Sequence, residues 1–188
     1  MTTQQLLQGV NIFLIGMMGT GKTTIGKILA QQLEYRFFDT DILIERVAQK
    51  TINDIFATEG EEVFRDIESQ VLAELSACTK SVIATGGGIV LRPQNWSYLH
   101  HGLIIWLDVP TNLLAKRLAR DKTRPLLRDT ELTLKLQSLL AQRQSFYAQG
   151  DLHICIQENQ SPNDITKRIF EIIPTVIKPQ VKISQDNN

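Results

Sequence analysis

The stretch that decides the fold is Ile12-Phe13-Leu14-Ile15-Gly16-Met17-Met18-Gly19-Thr20-Gly21-Lys22-Thr23-Thr24. Its glycines, lysine and first threonine satisfy G-x-x-x-x-G-K-[ST] at every fixed position. The apolar run Ile12–Ile15 reads as a buried strand. After the loop, Ile25, Ile28, Leu29 and Leu33 recur at helical spacing. Strand, glycine loop and helix in that order are the context that separates a phosphate-binding loop from a chance match. Glycines let backbone N–H groups converge on phosphate oxygens at the positive end of the helix dipole. The loop Gly16–Thr23, followed by Thr24, therefore reads as a nucleoside triphosphate site. Lys22 neutralises phosphate charge, and the Thr23 hydroxyl suits magnesium.

Working outward, the chain alternates short apolar runs with helical patterns. Strands are expected at Arg36–Phe38, Val82–Ala84, Leu103–Leu107 and His153–Ile156, with helices between them. Such alternation predicts a three-layer α/β fold built on a parallel sheet. Residues 1–9 read as a frayed polar end, 93–101 as loop-like or weakly helical, and 121–130, charged and split by Pro125, as a mobile loop. From Pro174 a tail without order is expected.

Composition narrows the partners. The 188 residues fit one domain, with 20 Lys+Arg against 20 Asp+Glu. That balance offers no global field for nucleic acid or an anionic membrane. No run approaches the ~18 apolar residues of a membrane helix. No basic residue precedes Lys22, as a signal or transit peptide would require. Cys78 and Cys155 stand far apart without metal-type spacing, so a reduced cytoplasmic setting is expected.

Several side chains stand out for chemistry. Asp39 and Asp41 follow the second strand, at the sheet edge where ligands bind in open α/β folds. Either can serve a helix N-terminus, but one can also orient or deprotonate an acceptor hydroxyl while the other holds magnesium through water. Arg65 shares a helix face with Glu61 and Glu68, a pattern equally suited to a surface ion-pair ladder. Arg143 lies among Leu139, Leu140, Phe146 and Tyr147, where burying a guanidinium favours a bound carboxylate or phosphate. Gly86-Gly87-Gly88 fits a tight turn or a close backbone approach to a ligand. Arg124, before Pro125, is either a solvated charge or an arginine that swings over transferring phosphate. Asp108 ends an apolar strand in the manner of a Walker B motif, but Asp39 competes for that role and Asp108 is left out of the site. His100, His101 and His153 have no partner at ligand or triad spacing.

Taken in order, these elements resemble the shikimate kinases, of the nucleoside-monophosphate-kinase-like P-loop group. The resemblance spans about Asn11 to Ile173. It rests on the phosphate loop, Phe38-Asp39-Thr40-Asp41 with Ile44-Glu45, Glu59-Gly60-Glu61 with Phe64-Arg65 and Glu68, Thr85-Gly86-Gly87-Gly88, Arg124-Pro125-Leu126-Leu127, and Arg143 ahead of Tyr147. It implies a single domain with core 11–173, a five-stranded parallel sheet of order 2-3-1-4-5, a shikimate-binding region around 42–72 and a lid at 121–130, and it leaves the expected disordered tail at 174–188 outside the pattern. It also implies ATP-dependent phosphorylation of the 3-hydroxyl of shikimate, on the route to chorismate and aromatic amino acids, by a cytoplasmic monomer. By position, Gly19, Thr20, Gly21, Lys22, Thr23 and Thr24 would contact the ATP phosphates. Lys22, Asp41 and Arg124 would be catalytic, and Arg124 would also meet ATP. Asp41, Arg65, Gly87 and Arg143 would bind shikimate, with Glu68 steadying the substrate arginine. Thr23 would ligate Mg2+, with Asp39 reaching it through water. Thr23 stands where serine is more frequent, which keeps the hydroxyl. The resemblance leaves open whether Arg117 or Arg120 stacks on adenine.

Overall fold

A computed structural model describes residues 3–119 and 129–177. In chain order its elements are α1 (Thr3–Leu7), β1 (Asn11–Ile15), α2 (Lys22–Leu33), β2 (Arg36–Asp39), α3 (Thr40–Ala48), α4 (Ile52–Thr58), α5 (Glu61–Ser76) and β3 (Ser81–Ala84). After a 3-10 turn at Ile89–Leu91 come α6 (Pro93–Leu99), β4 (Gly102–Asp108), α7 (Thr111–Ala119), α8 (Asp129–Tyr147), β5 (Leu152–Cys155) and α9 (Pro162–Val176). The five strands form one parallel sheet ordered β2-β3-β1-β4-β5, as the resemblance implied. Phe13 pairs with Ile83 on one side and Ile104 on the other, so β1 sits at the centre. Every residue of β1 and β3 is buried, which is why these strands read as unbroken apolar runs. The edge strand β5 alternates instead: Leu152 and Ile154 face inward, His153 and Cys155 outward.

Three boundaries differ from the sequence expectations. The N-terminal segment forms a helix, because Leu7 is fully buried and the Gln4 amide donates to the Leu33 carbonyl. Leu7→Ala is therefore expected to cost about 2–5 kcal/mol of stability; an unchanged denaturation midpoint would return this segment to a frayed end. The stretch after Arg92 is a regular helix opened by Pro93 at its first turn, with Asn95 and Trp96 anchored to the Ile89 and Val90 carbonyls. At the other end, α9 runs through Pro174 to Val176, and Ile173 is fully buried. Pro174 thus lies inside the last turns of a helix rather than opening the tail. Residues 178–188 lie outside the described residues. So do Arg120, Arg124 and most of the expected lid, whose last two residues, 129 and 130, instead begin α8.

Candidate active site

The phosphate loop joins the carboxyl end of β1 to α2. Gly21 caps α2 with φ 94°, a left-handed conformation that glycine adopts without strain. The Thr20 hydroxyl closes the loop by donating to the Met17 carbonyl at 2.9 Å. Lys22 is buried, and its ammonium donates to the Gly16 and Met17 carbonyls, each at 2.8 Å. A buried cation is thereby held within the loop at the amino end of α2, a setting that favours phosphate. Arg117, on α7, donates to the Gly19 carbonyl at 3.3 Å, beside the loop; Arg120, the other arginine considered for adenine, lies outside the described residues.

Asp39 ends β2 next to this loop. One of its carboxylate oxygens accepts from the Thr23 hydroxyl at 2.7 Å; the other caps α3 by accepting from the Asp41 amide at 3.1 Å. The capping reading and the functional reading of Asp39 therefore hold together. Thr23 and Asp39 set two hard oxygen donors side by side, a pairing that fits a magnesium ion and its bound waters.

The second half of the site is built around Gly86-Gly87-Gly88. The Gly86 amide donates to the Thr40 hydroxyl at 2.9 Å, tying the end of β3 to the start of α3. A Cβ on Gly86 would stand 2.8 Å from a Glu68 carboxylate oxygen and 3.0 Å from one of Asp41. A Cβ on Gly88 would fall 2.4–2.6 Å from the Arg65 guanidinium atoms. These positions are glycine because two carboxylates and a guanidinium crowd against the backbone there. Arg143 and Tyr147, one turn apart on α8, both donate to the Gly87 carbonyl, at 3.3 and 2.5 Å. Asp41, Arg65, Glu68, Gly87 and Arg143 thus gather from β2–α3, α5, the glycine turn and α8.

The surface-ladder reading of Arg65 does not survive. Its side chain is 10% exposed and Glu68 is fully buried, with the guanidinium donating to Glu68 at 2.8 Å and to Glu61 at 3.0 Å. Burial opposes the Arg65 charge, but pairing with Glu68 and Glu61 outweighs it and holds the pKa above its ordinary value. Burial pushes the Glu68 carboxyl up, against the pull of Arg65; nearby Asp41 adds to the rise. The Arg65 shift reflects the ion pair, and the Glu68 shift its enclosure, since one Glu68 oxygen has no hydrogen-bond partner among the described residues. The buried Nε of Arg143 is likewise unpartnered. Buried polar atoms seldom go unpaired, and a polar ligand would satisfy them.

The residue reading passed over the Thr40 hydroxyl and the Tyr147 hydroxyl as site groups. Tyr147 carries only a weak signal, as an aromatic one turn from Arg143. Thr40 carries none, because its bond joins residues 46 positions apart. The histidine reading needs correction too. His153 does have a partner: its Nε2 lies 2.9 Å from the Asp108 carboxylate, brought close by β4–β5 pairing. Asp108 accordingly faces His153.

A phosphate loop beside a cluster of arginines and carboxylates around a glycine turn defines a P-loop phosphotransferase of the small-molecule kinase type. The family model described as shikimate kinase matches residues 18–174. The chain is 67% identical to a shikimate kinase of Rippkaea orientalis, over the whole of both chains. It is 61% identical to one of Nostoc punctiforme, covering 93% of this chain and 97% of that one. Among solved structures, the shikimate kinase of Acinetobacter baumannii in complex with shikimate aligns with a TM-score of 0.82 at 38% identity, covering 92% of this chain and 97% of that one. The chain belongs to the shikimate kinase family. A gluconokinase from Sinorhizobium meliloti aligns at TM-score 0.60 and 16% identity, covering 90% of this chain and 94% of that one, a likeness of fold alone.

Proposed function

We propose that this protein transfers the γ-phosphate of ATP to the 3-hydroxyl of shikimate, giving shikimate 3-phosphate and ADP. The observation that carries the reading is the convergence of Arg65, Arg143, Asp41 and the Gly86–Gly88 backbone next to the phosphate loop. Shikimate presents one carboxylate and three hydroxyls. The two arginines suit the carboxylate, Asp41 suits hydroxyls, and the glycine turn admits the ring edge. The relative crystallised with shikimate supports the same acceptor.

In the reaction a bond forms between the acceptor oxygen and the γ-phosphorus while the bond from γ-phosphorus to the bridging oxygen breaks. Little covalent work falls to the protein, so positioning and charge stabilisation dominate. Asp41 orients the hydroxyl and accepts its proton. Lys22 leaves the Gly16 and Met17 carbonyls to meet the β- and γ-phosphates. Gly19–Thr24 supply the surrounding donors, and Arg117 covers the nucleotide side of the loop. Thr23, with Asp39 through water, would hold Mg2+, which would supply positive charge against the phosphates during transfer. Arg124 meets transferring phosphate; Arg124→Ala is expected to lower kcat more than it raises either KM, because the contact matters most in the transition state. Both halves of the site come from one chain, so a monomer can carry the whole reaction.

A coupled ADP-release assay across a panel of hydroxy acids tests the assignment. Turnover with shikimate and not gluconate is expected; turnover with gluconate alone would overturn it. The glycine turn gives a sharper check. In Gly88→Ala the new methyl would displace the Arg65 guanidinium from Glu68, and the KM for shikimate should rise about tenfold or more. An unchanged KM would remove Arg65 from acceptor binding.

A further inference from the structure

On the open face of the edge strand β5 lies a second group of chemically active side chains, Asp108, His153 and Cys155. We propose that these three residues bind a divalent transition-metal ion of borderline softness, of the zinc class. Asp108 and Cys155 are paired across β4 and β5, and His153 sits opposite Trp106 in the same register. All three side chains therefore leave the sheet on one face. Their ligand atoms lie within 4.8 Å of one another.

The geometry argues for convergence on a single ion. His153 Nε2 is 2.9 Å from an Asp108 carboxylate oxygen and 3.4 Å from Cys155 Sγ. In a tetrahedral site with metal–nitrogen near ~2.05 Å and metal–sulfur near ~2.3 Å, the nitrogen and sulfur stand about 3.5 Å apart. The observed His–Cys separation already matches. The His–Asp contact is a direct hydrogen bond that must open by roughly half an ångström, a small rotation of a carboxylate that is 27% exposed.

Two features distinguish this cluster from a nucleophilic triad or a casual surface pair. In a Cys–His–acid relay the thiol and the carboxylate address different ring nitrogens. Here both address Nε2, which leaves no relay but sets one nitrogen within reach of an oxygen and a sulfur, the three ligand atoms lying within 4.8 Å of one another. The ring is also held in place: it stacks on Trp106 with centroids 3.9 Å apart and planes 6° from parallel. The backbone is fixed at the other two donors, since the Asp108 carbonyl accepts from the Ile156 amide at 2.7 Å and the Cys155 carbonyl from Arg168 at 2.9 Å. Preorganised donors of mixed N, O and S type favour zinc-class ions over the hard cation suited to Thr23 and Asp39. With Asp108 and Cys155 both ionised the complex is neutral, and a fourth position stays open to water.

Titration of the full-length protein with Co2+ tests this directly, because only a thiolate ligand gives sulfur-to-cobalt charge-transfer absorption. One equivalent per chain should develop that band. The band should vanish in Cys155→Ser, weaken at least tenfold in apparent affinity in Asp108→Asn and His153→Ala, and persist in Cys78→Ser. Cys155→Ser should keep its magnesium-dependent ADP release, showing an intact fold. Absence of the band in the parent protein, or its survival in Cys155→Ser, would overturn the proposal.

Discussion

Arg143→Ala is expected to lower kcat/KM for shikimate by ~30- to 1,000-fold, or about 2–4 kcal/mol, with most of the change in KM. Arg143 reaches the acceptor pocket from α8 across the Gly87 carbonyl, and its Nε is buried without a partner among the described residues. Truncation would remove one of two guanidinium groups proposed for the shikimate carboxylate. It would also leave Glu68, already pushed up by burial, with one fewer cation nearby. The affinity for ATP should stay nearly unchanged, because Lys22, Thr23 and Thr24 stand on a different element. Initial rates with each substrate varied in turn separate the two effects. A normal KM for shikimate with weakened ATP binding would move Arg143 to the nucleotide half and break the proposed division of the site.

Lys22→Ala should reduce kcat by ~100- to 1,000-fold, the scale lost when one preorganised donor to developing charge is removed. The ammonium rests between the Gly16 and Met17 carbonyls, within the loop that would cradle the phosphates. Its role therefore requires a short swing from backbone oxygen to phosphate oxygen, which an alanine cannot replace. Denaturation midpoints and ADP release measured on the same preparation distinguish lost chemistry from lost fold. A variant that is folded and fully active would take Lys22 out of the mechanism.

The nucleotide half was readable because its information is local. Gly16–Thr24 occupy consecutive positions, and the strand before and helix after are each short enough for periodicity to reveal. The acceptor half was legible only as fragments. Arg143 could be singled out because an arginine on an apolar stripe is costly to bury. Arg65 could not, because its two acidic neighbours at helical spacing fit an exposed ladder as well as a buried pair. The family resemblance gathered those fragments into a pocket, and the fold then placed Arg65, Glu68, Asp41 and Arg143 around Gly86–Gly88. Leu7 and Pro174 were misread for a related reason. A single apolar residue in a polar end, or one proline near a terminus, does not disclose that the core lies beneath it.

The phosphate loop and the α/β class were legible in the residues because each depends on residue types at short fixed spacing, and the family resemblance added the order of the sheet. The enclosure of Glu68 with Arg65, the Thr40 bond to Gly86 and the meeting of His153 with Asp108 and Cys155 emerge only once the chain is folded. Asp108 and His153 lie 45 positions apart in the chain, and parallel pairing of β4 with β5 makes them neighbours. Contacts of that kind are set by sheet register and burial, which no local spacing encodes.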